Sequence, residues 1–110
     1  MTRVTLFKDK EGNNRGFDVR GHAGFLFRGL DIVCSAISIL SINTINAVEA
    51  FTEEKPRVSV KRGAAQIRYR IDSIPGEQAK LLLDTYELGI RSIEQEYSRH
   101  VQVQVRRYEK

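Results

Sequence analysis

Residues 31–54 place Ile32, Val33, Ile37, Ile39, Leu40, Ile42, Ile45, Val48 and Phe51 around most of a helix's circumference, interrupted only by small polar groups such as Ser35, Ser38, Ser41, Asn43 and Asn46. A helix that is apolar nearly all round is buried on more than one side. The chain has 110 residues, 41% hydrophobic and 29% charged, which fits one compact domain over 1–110 and leaves no room for a second. The layers enclosing this helix must come from the same domain or from a second copy of it. A symmetric homodimer is the commonest supplier of such a surface, and a homodimer is the expectation.

The remaining periodicities are those of strands and one ordinary helix. Residues 3–8 and 16–20 are short β-leaning runs, and Asp9-Lys10-Glu11-Gly12-Asn13-Asn14 between them supplies turn chemistry, so they read as a hairpin. Strict alternation in 57–62 sets Val58 and Val60 against Arg57, Ser59 and Lys61, and in 66–71 it sets Ile67, Tyr69 and Ile71 against Gln66, Arg68 and Arg70. Arg62-Gly63-Ala64 reads as a tight turn joining them. Val101, Val103 and Val105 alternate in the same way with Gln102, Gln104 and Arg106. Over 76–97, Ala79, Leu82, Leu83, Tyr86, Ile90, Ile93 and Tyr97 form one stripe of an amphipathic helix, entered through Pro75. The predicted order is β-β-α-β-β-α-β, an α+β two-layer sandwich whose mostly antiparallel sheet carries both helices on one face.

Several classes are excluded. The single cysteine, Cys34, has no partner for an internal disulfide and no companion cysteines for a structural zinc site, so no metal and no cofactor is expected. The amino-terminal residues lack a run of signal-peptide length, and no eighteen consecutive residues are apolar, so the expectation is a cytoplasmic protein without a membrane partner. The net charge of +4 arises entirely in residues 56–110, where eleven basic residues face seven acidic ones. Such a balance suits an anionic partner but is far below that of a dedicated nucleic-acid arm.

The chemistry concentrates between the second strand and the first helix. Gly21-His22-Ala23-Gly24-Phe25-Leu26-Phe27-Arg28-Gly29-Leu30 is a ten-residue connection where two to six residues would suffice. It delivers the chain to Asp31, which is suited to cap the helix. Cys34 then falls in the first turn, where free amides and the helix dipole favour a thiolate, while the Asp31 charge acts against it. A strand end and the next helix start share one edge of a two-layer domain, so His22 and Cys34 come within reach as a Cys/His dyad. The bland readings are a buried, inert Cys34 and a His22 bonded to backbone. Ser38, one turn beyond Cys34 on the same face, either lines the site or bonds back to its own helix. His100 has no cysteine near it in sequence and reads as a surface residue.

Gly21-His22-Ala23, followed by Gly29-Leu30-Asp31-Ile32-Val33-Cys34-Ser35-Ala36-Ile37-Ser38, resembles the signature of the ribosomal-processing cysteine protease family, Prp. Ser35 stands where many members have alanine. The resemblance covers about the whole chain and implies a homodimeric bacterial protease that removes a short amino-terminal extension from large-subunit ribosomal protein number twenty-seven. It implies Cys34 as nucleophile and His22 as general base, with Asp31 and Ser38 on other characteristic positions. Family substrates present a short apolar and aromatic stretch before the cut. The loop with Gly21, Phe25, Phe27 and Gly29 is the expected substrate loop, closing over such a segment.

Two other classes compete. Arg57, Lys61, Arg68, Arg70 and Arg106 fall on the predicted solvated face of the sheet, which would allow a non-enzymatic, ribosome- or RNA-associated basic module. The ordinary reading of such a face is a charged strand surface kept in water, and Tyr69, the aromatic that could stack on bases, falls on the inner face. Direct nucleic-acid binding is therefore open to the chain but not expected. A redox sensor is disfavoured because the chain has no resolving cysteine.

Overall fold

Alternating strands and apolar helix stripes collapse into the two layers their periodicities dictate. The computed structural model describes residues 1–21, 31–61 and 66–109, with backbone alone at Asp31. The elements are β1 (Thr2–Lys8), β2 (Asn14–Arg20), α1 (Asp31–Phe51), β3 (Arg57–Lys61), β4 (Gln66–Arg70), α2 (Glu77–Glu96) and β5 (Val101–Arg107), in the predicted order. The five strands form one sheet in the order β3-β4-β2-β1-β5. Every neighbouring pair is antiparallel except β1 and β5, which run parallel with Thr2 opposite Val101. The predicted turn at 62–64 and the connection from His22 to Leu30 lie outside the described residues.

The inner face of the sheet supplies Val4, Leu6, Phe17, Val19, Ile67, Tyr69 and Val101, all under 9% exposed. Against it lie Val33, Ile37, Ile45 and Val48 of α1 and Ala79, Leu83, Tyr86 and Ile90 of α2. Phe17 stacks on Tyr86 with ring centroids 4.1 Å apart, so sheet and helix layers meet through aromatic faces. The helices also meet each other through a buried polar contact. Ser41 Oγ donates to the Ile37 carbonyl at 2.7 Å and lies 2.8 Å from the Tyr86 hydroxyl. A serine hydroxyl has one proton. Because a carbonyl can only accept, the Tyr86 hydroxyl must be the donor in the second bond.

The β1–β2 turn is held by Asp9, whose carboxylate accepts the amides of Glu11 and Asn13. Phe7 pairs with Gly16 but Lys8 pairs with Asn14, which leaves Arg15 as the extra residue of a β-bulge. Gly16 follows with φ of 152°, and a Cβ there would stand 1.9 Å from the Tyr69 carbonyl oxygen. Only glycine lets β2 and β4 approach this closely.

Burial within one chain is less complete than the periodicities suggest. The first helix is not enclosed all round by its own chain, because Ile32, Ile39 and Phe51 are each close to 70% exposed. The face containing Ile32, Ser35, Ile39, Asn43 and Asn46 is turned away from the core, and the buried stripe runs through Val33, Ile37, Ser41 and Val48. Val58 and Val60 share the inner face with Tyr69 and Ile67, as the alternation requires, yet both are almost half exposed. Among the described residues two helices do not cover five strands, and β3 is the edge left uncovered. No eighteen consecutive residues are apolar, but Ile32–Phe51 has a mean hydropathy of 1.5 and is long and apolar enough to cross a bilayer. In this fold it is the core helix.

Candidate active site

Where the helix layer stops short of β3, the sheet and α1 enclose a groove of about 290 Å³. One wall is a single face of α1, on which Cys34, Ser38 and Ile42 follow at intervals of four residues, so each stands one turn beyond the last. The opposite wall comes from the strands: Thr2, Val19 and Gly21 from β1 and the end of β2, then Val60, Lys61, Gln66 and Ile67 from β3 and β4. The lining is mainly apolar, with a few polar groups at the end where β3 finishes and β4 begins.

Cys34 is the fourth residue of α1 and is half-buried, with its thiol neither sealed in the core nor free in solvent. The first turn of a helix leaves its amides without intrahelical partners, a ready cradle for an anion. Ser38 lines the same groove one turn on, as its spacing predicts. Gly21 also lines it, so the groove reaches the residue directly before His22. His22 itself, Phe25, Phe27 and Gly29 lie outside the described residues, as does the Asp31 side chain and with it the capping expectation. His100 lies elsewhere. Its backbone joins β1 to the start of β5, its carbonyl accepting from the Thr2 amide at 2.8 Å. Among the described residues, no three His, Cys, Asp or Glu side chains come together to hold a metal ion.

Sequence motifs missed most of the groove, seven of its ten lining residues. Ile42 was readable, because it continues the Cys34–Ser38 face by one more turn. Thr2, Val19, Val60 and Ile67 were not, since they come from strands whose neighbours only the sheet order reveals. Thr2 Oγ1 is buried and has no hydrogen-bond partner among the described residues. The arrangement offers a cysteine sulfur at a helix start and an apolar trough leading away. Those are the requirements for holding an extended apolar segment while its carbonyl is attacked.

Comparison with known proteins agrees with this chemistry. A family profile described as cysteine protease Prp matches residues 1–102. The ribosomal processing cysteine protease Prp of Staphylococcus aureus is 26% identical over 103 residues, which cover 94% of this chain and 97% of that protein. A crystal structure of the S. aureus ribosomal processing protease Prp with a substrate peptide superposes at a TM-score of 0.89, with 24% identity, over 96% of this chain and all of that one. Another, with a covalently linked product peptide, superposes at 0.87 with 25% identity over the same shares.

Proposed function

This chain belongs to the Prp family of cysteine proteases, which act in ribosomal processing, and from that premise we propose that Cys34 and His22 form its catalytic dyad. The observation that carries the reading is the groove itself: the half-buried Cys34 at a helix start, with Gly21 on the same lining and an apolar trough beyond. His22 takes the thiol proton, and Cys34 Sγ attacks the scissile carbonyl. The free amides of the first turn of α1 receive the developing oxyanion. The C–N bond breaks as His22 returns the proton to the leaving amine, which leaves a thioester on Cys34. Water, deprotonated by His22, then hydrolyses the thioester and restores the thiol. The covalently linked product peptide of the S. aureus relative supports a covalent route.

The substrate we propose is the amino-terminal extension of large-subunit ribosomal protein number twenty-seven, in the cytoplasm. Val19, Ile42, Val60 and Ile67 suit the apolar and aromatic stretch of such an extension. The working species is a homodimer joined through the outward face of α1, where Ile32 and Ile39 are each close to 70% exposed and flanked by the small polar groups of Ser35, Asn43 and Asn46.

The test uses a peptide spanning the extension, with cleavage followed by mass spectrometry. The parent protein cleaves it, Cys34→Ala abolishes turnover, and His22→Ala lowers it by at least about 100-fold. Turnover that survives both changes refutes the dyad. A parent that cleaves other peptides but leaves this one intact refutes the substrate alone.

A further inference from the structure

The sheet face turned away from the helices is open and strongly cationic, and its geometry points to a partner. The strand register aligns its outward residues in three cross-strand rows. One row holds Lys61, Gln66, Arg20, Arg3 and Gln102, and another holds Arg57, Arg70, Gly16, Phe7 and Arg106. Between them lie Ser59, Arg68, Asp18, Thr5 and Gln104. The face thus gathers seven of the chain's eighteen lysines and arginines against one carboxylate, Asp18. The two outer rows stand about 13 Å apart, four residues along the strands. Arg20 and Arg68 pair with Asp18, and Arg57 pairs with Asp72. Among the described residues, no carboxylate forms an ion pair with Arg3, Lys61, Arg70 or Arg106.

We propose that this face binds base-paired RNA through its sugar-phosphate backbone, with the outer rows on phosphates and the middle row toward ribose hydroxyls. Three observations select this occupant. Six of the seven cations lie in the two outer lines, and Arg3, Arg20, Arg70 and Arg106 among them flank a shallow concavity of about 320 Å³ rather than a closed pocket, which matches a broad polyanion instead of a single small anion. Stacking of unpaired bases lacks a platform, because the ring of Phe7 is already covered by the Arg70 guanidinium at 4.2 Å and meets Tyr108 at its edge. The middle row is a row of acceptors and donors, not of charge alone: Thr5, Gln104 and the buried Asp18, whose Oδ1 has no hydrogen-bond partner among the described residues. A carboxylate there repels a featureless polyanion and favours one that brings hydroxyl donors between its phosphates. The wide, shallow minor groove of A-form RNA displays those hydroxyls, and a flat sheet can reach them.

The test measures binding of a 20-base-pair RNA duplex across salt concentration, beside a DNA duplex of the same sequence and a polyglutamate peptide. With the four cations that lack a carboxylate each meeting a phosphate, affinity for RNA falls by about 150-fold between 50 and 200 mM salt. The Arg3→Gln/Arg106→Gln variant, altered only at exposed positions, shows a fall of only about 12-fold, and Arg3→Lys/Arg106→Lys retains the parent's dependence. The thermal melting of each variant is read alongside to confirm the fold. DNA or polyglutamate bound as tightly as RNA overturns the assignment. So does an unchanged salt dependence in the glutamine variant, or no RNA binding at 50 mM salt.

Discussion

The Ser41–Tyr86 contact allows a quantitative test of how α1, the helix that carries Cys34, is held against α2. Both residues are at most 1% exposed, and burial raises the Tyr86 phenol well above its ordinary pKa, so it stays protonated and able to donate. Ser41→Ala leaves that donor buried with no acceptor, which costs about 2 kcal/mol. The gain in helix propensity returns at most about 0.5 kcal/mol, for a net loss of about 1.5 kcal/mol. Tyr86→Phe costs less, about 1 kcal/mol, because Ser41 keeps its bond to the Ile37 carbonyl. With both hydroxyls removed nothing polar is stranded, and the double variant loses only about 0.5 kcal/mol. The singles therefore overshoot the double by about 2 kcal/mol, well outside the scatter of additive sites. Urea denaturation of the four proteins, with a common slope, reads all three differences. A double variant equal to the sum of the singles refutes the interaction. A Tyr86→Phe loss larger than that of Ser41→Ala refutes the assignment of the donor.

Three further outcomes follow from features already described. Gly16→Ala drives a Cβ into the Tyr69 carbonyl at a φ that L residues rarely adopt, so it costs at least about 3 kcal/mol, and a melting temperature within a degree or two of the parent would contradict this. Burial acts to raise Glu87, but hydrogen bonds from Lys8, Asn14 and Arg91 prevail and hold its pKa at about 2 against an ordinary 4.5. Its contribution to stability is thus complete above about pH 4.5 and lost as pH falls toward 2, and Glu87→Gln should flatten the stability profile of the protein across that window in acid titrations followed by circular dichroism. Ile39→Lys on the outward face of α1 converts the proposed dimer to monomer in sedimentation equilibrium, and a dimeric mass that persists would move the interface elsewhere.

The parts of this molecule that were legible in sequence are those fixed by local period. Alternation placed Ile67 and Tyr69 inward and Arg68 and Arg70 outward, and the four-residue spacing put Cys34 and Ser38 on one helix face. Alternation reports which side of a sheet a residue faces, but not whether anything covers that side. Val58 and Val60 therefore face inward yet stay half exposed, because the helix layer ends before β3. The same limit applies to α1, whose composition suggested enclosure while Ile32 and Ile39 lie on its open flank. The strand walls of the groove depend on β4 pairing with β2, and β1 with β5, contacts between residues far apart in the chain that no local pattern encodes. The bulge at Arg15 was hidden for a different reason. A bulge is one residue out of register, and its signature is the mismatch between partners.

The parallel pairing of β1 with β5 has a consequence for how the molecule comes into being. The second residue lies beside the hundred-and-first, and Arg3 and Gln102 bond to each other across 99 positions. Closing so long a loop precedes any reward from the contacts it permits, which places this topology among the slower-folding small domains. During synthesis, β1 waits with one edge unpaired until nearly the whole chain has emerged. Thr2, which lines the groove, takes its amide partner from His100. One wall of the groove is therefore completed only after the last strand has arrived, so catalytic competence would be among the final properties a nascent chain acquires.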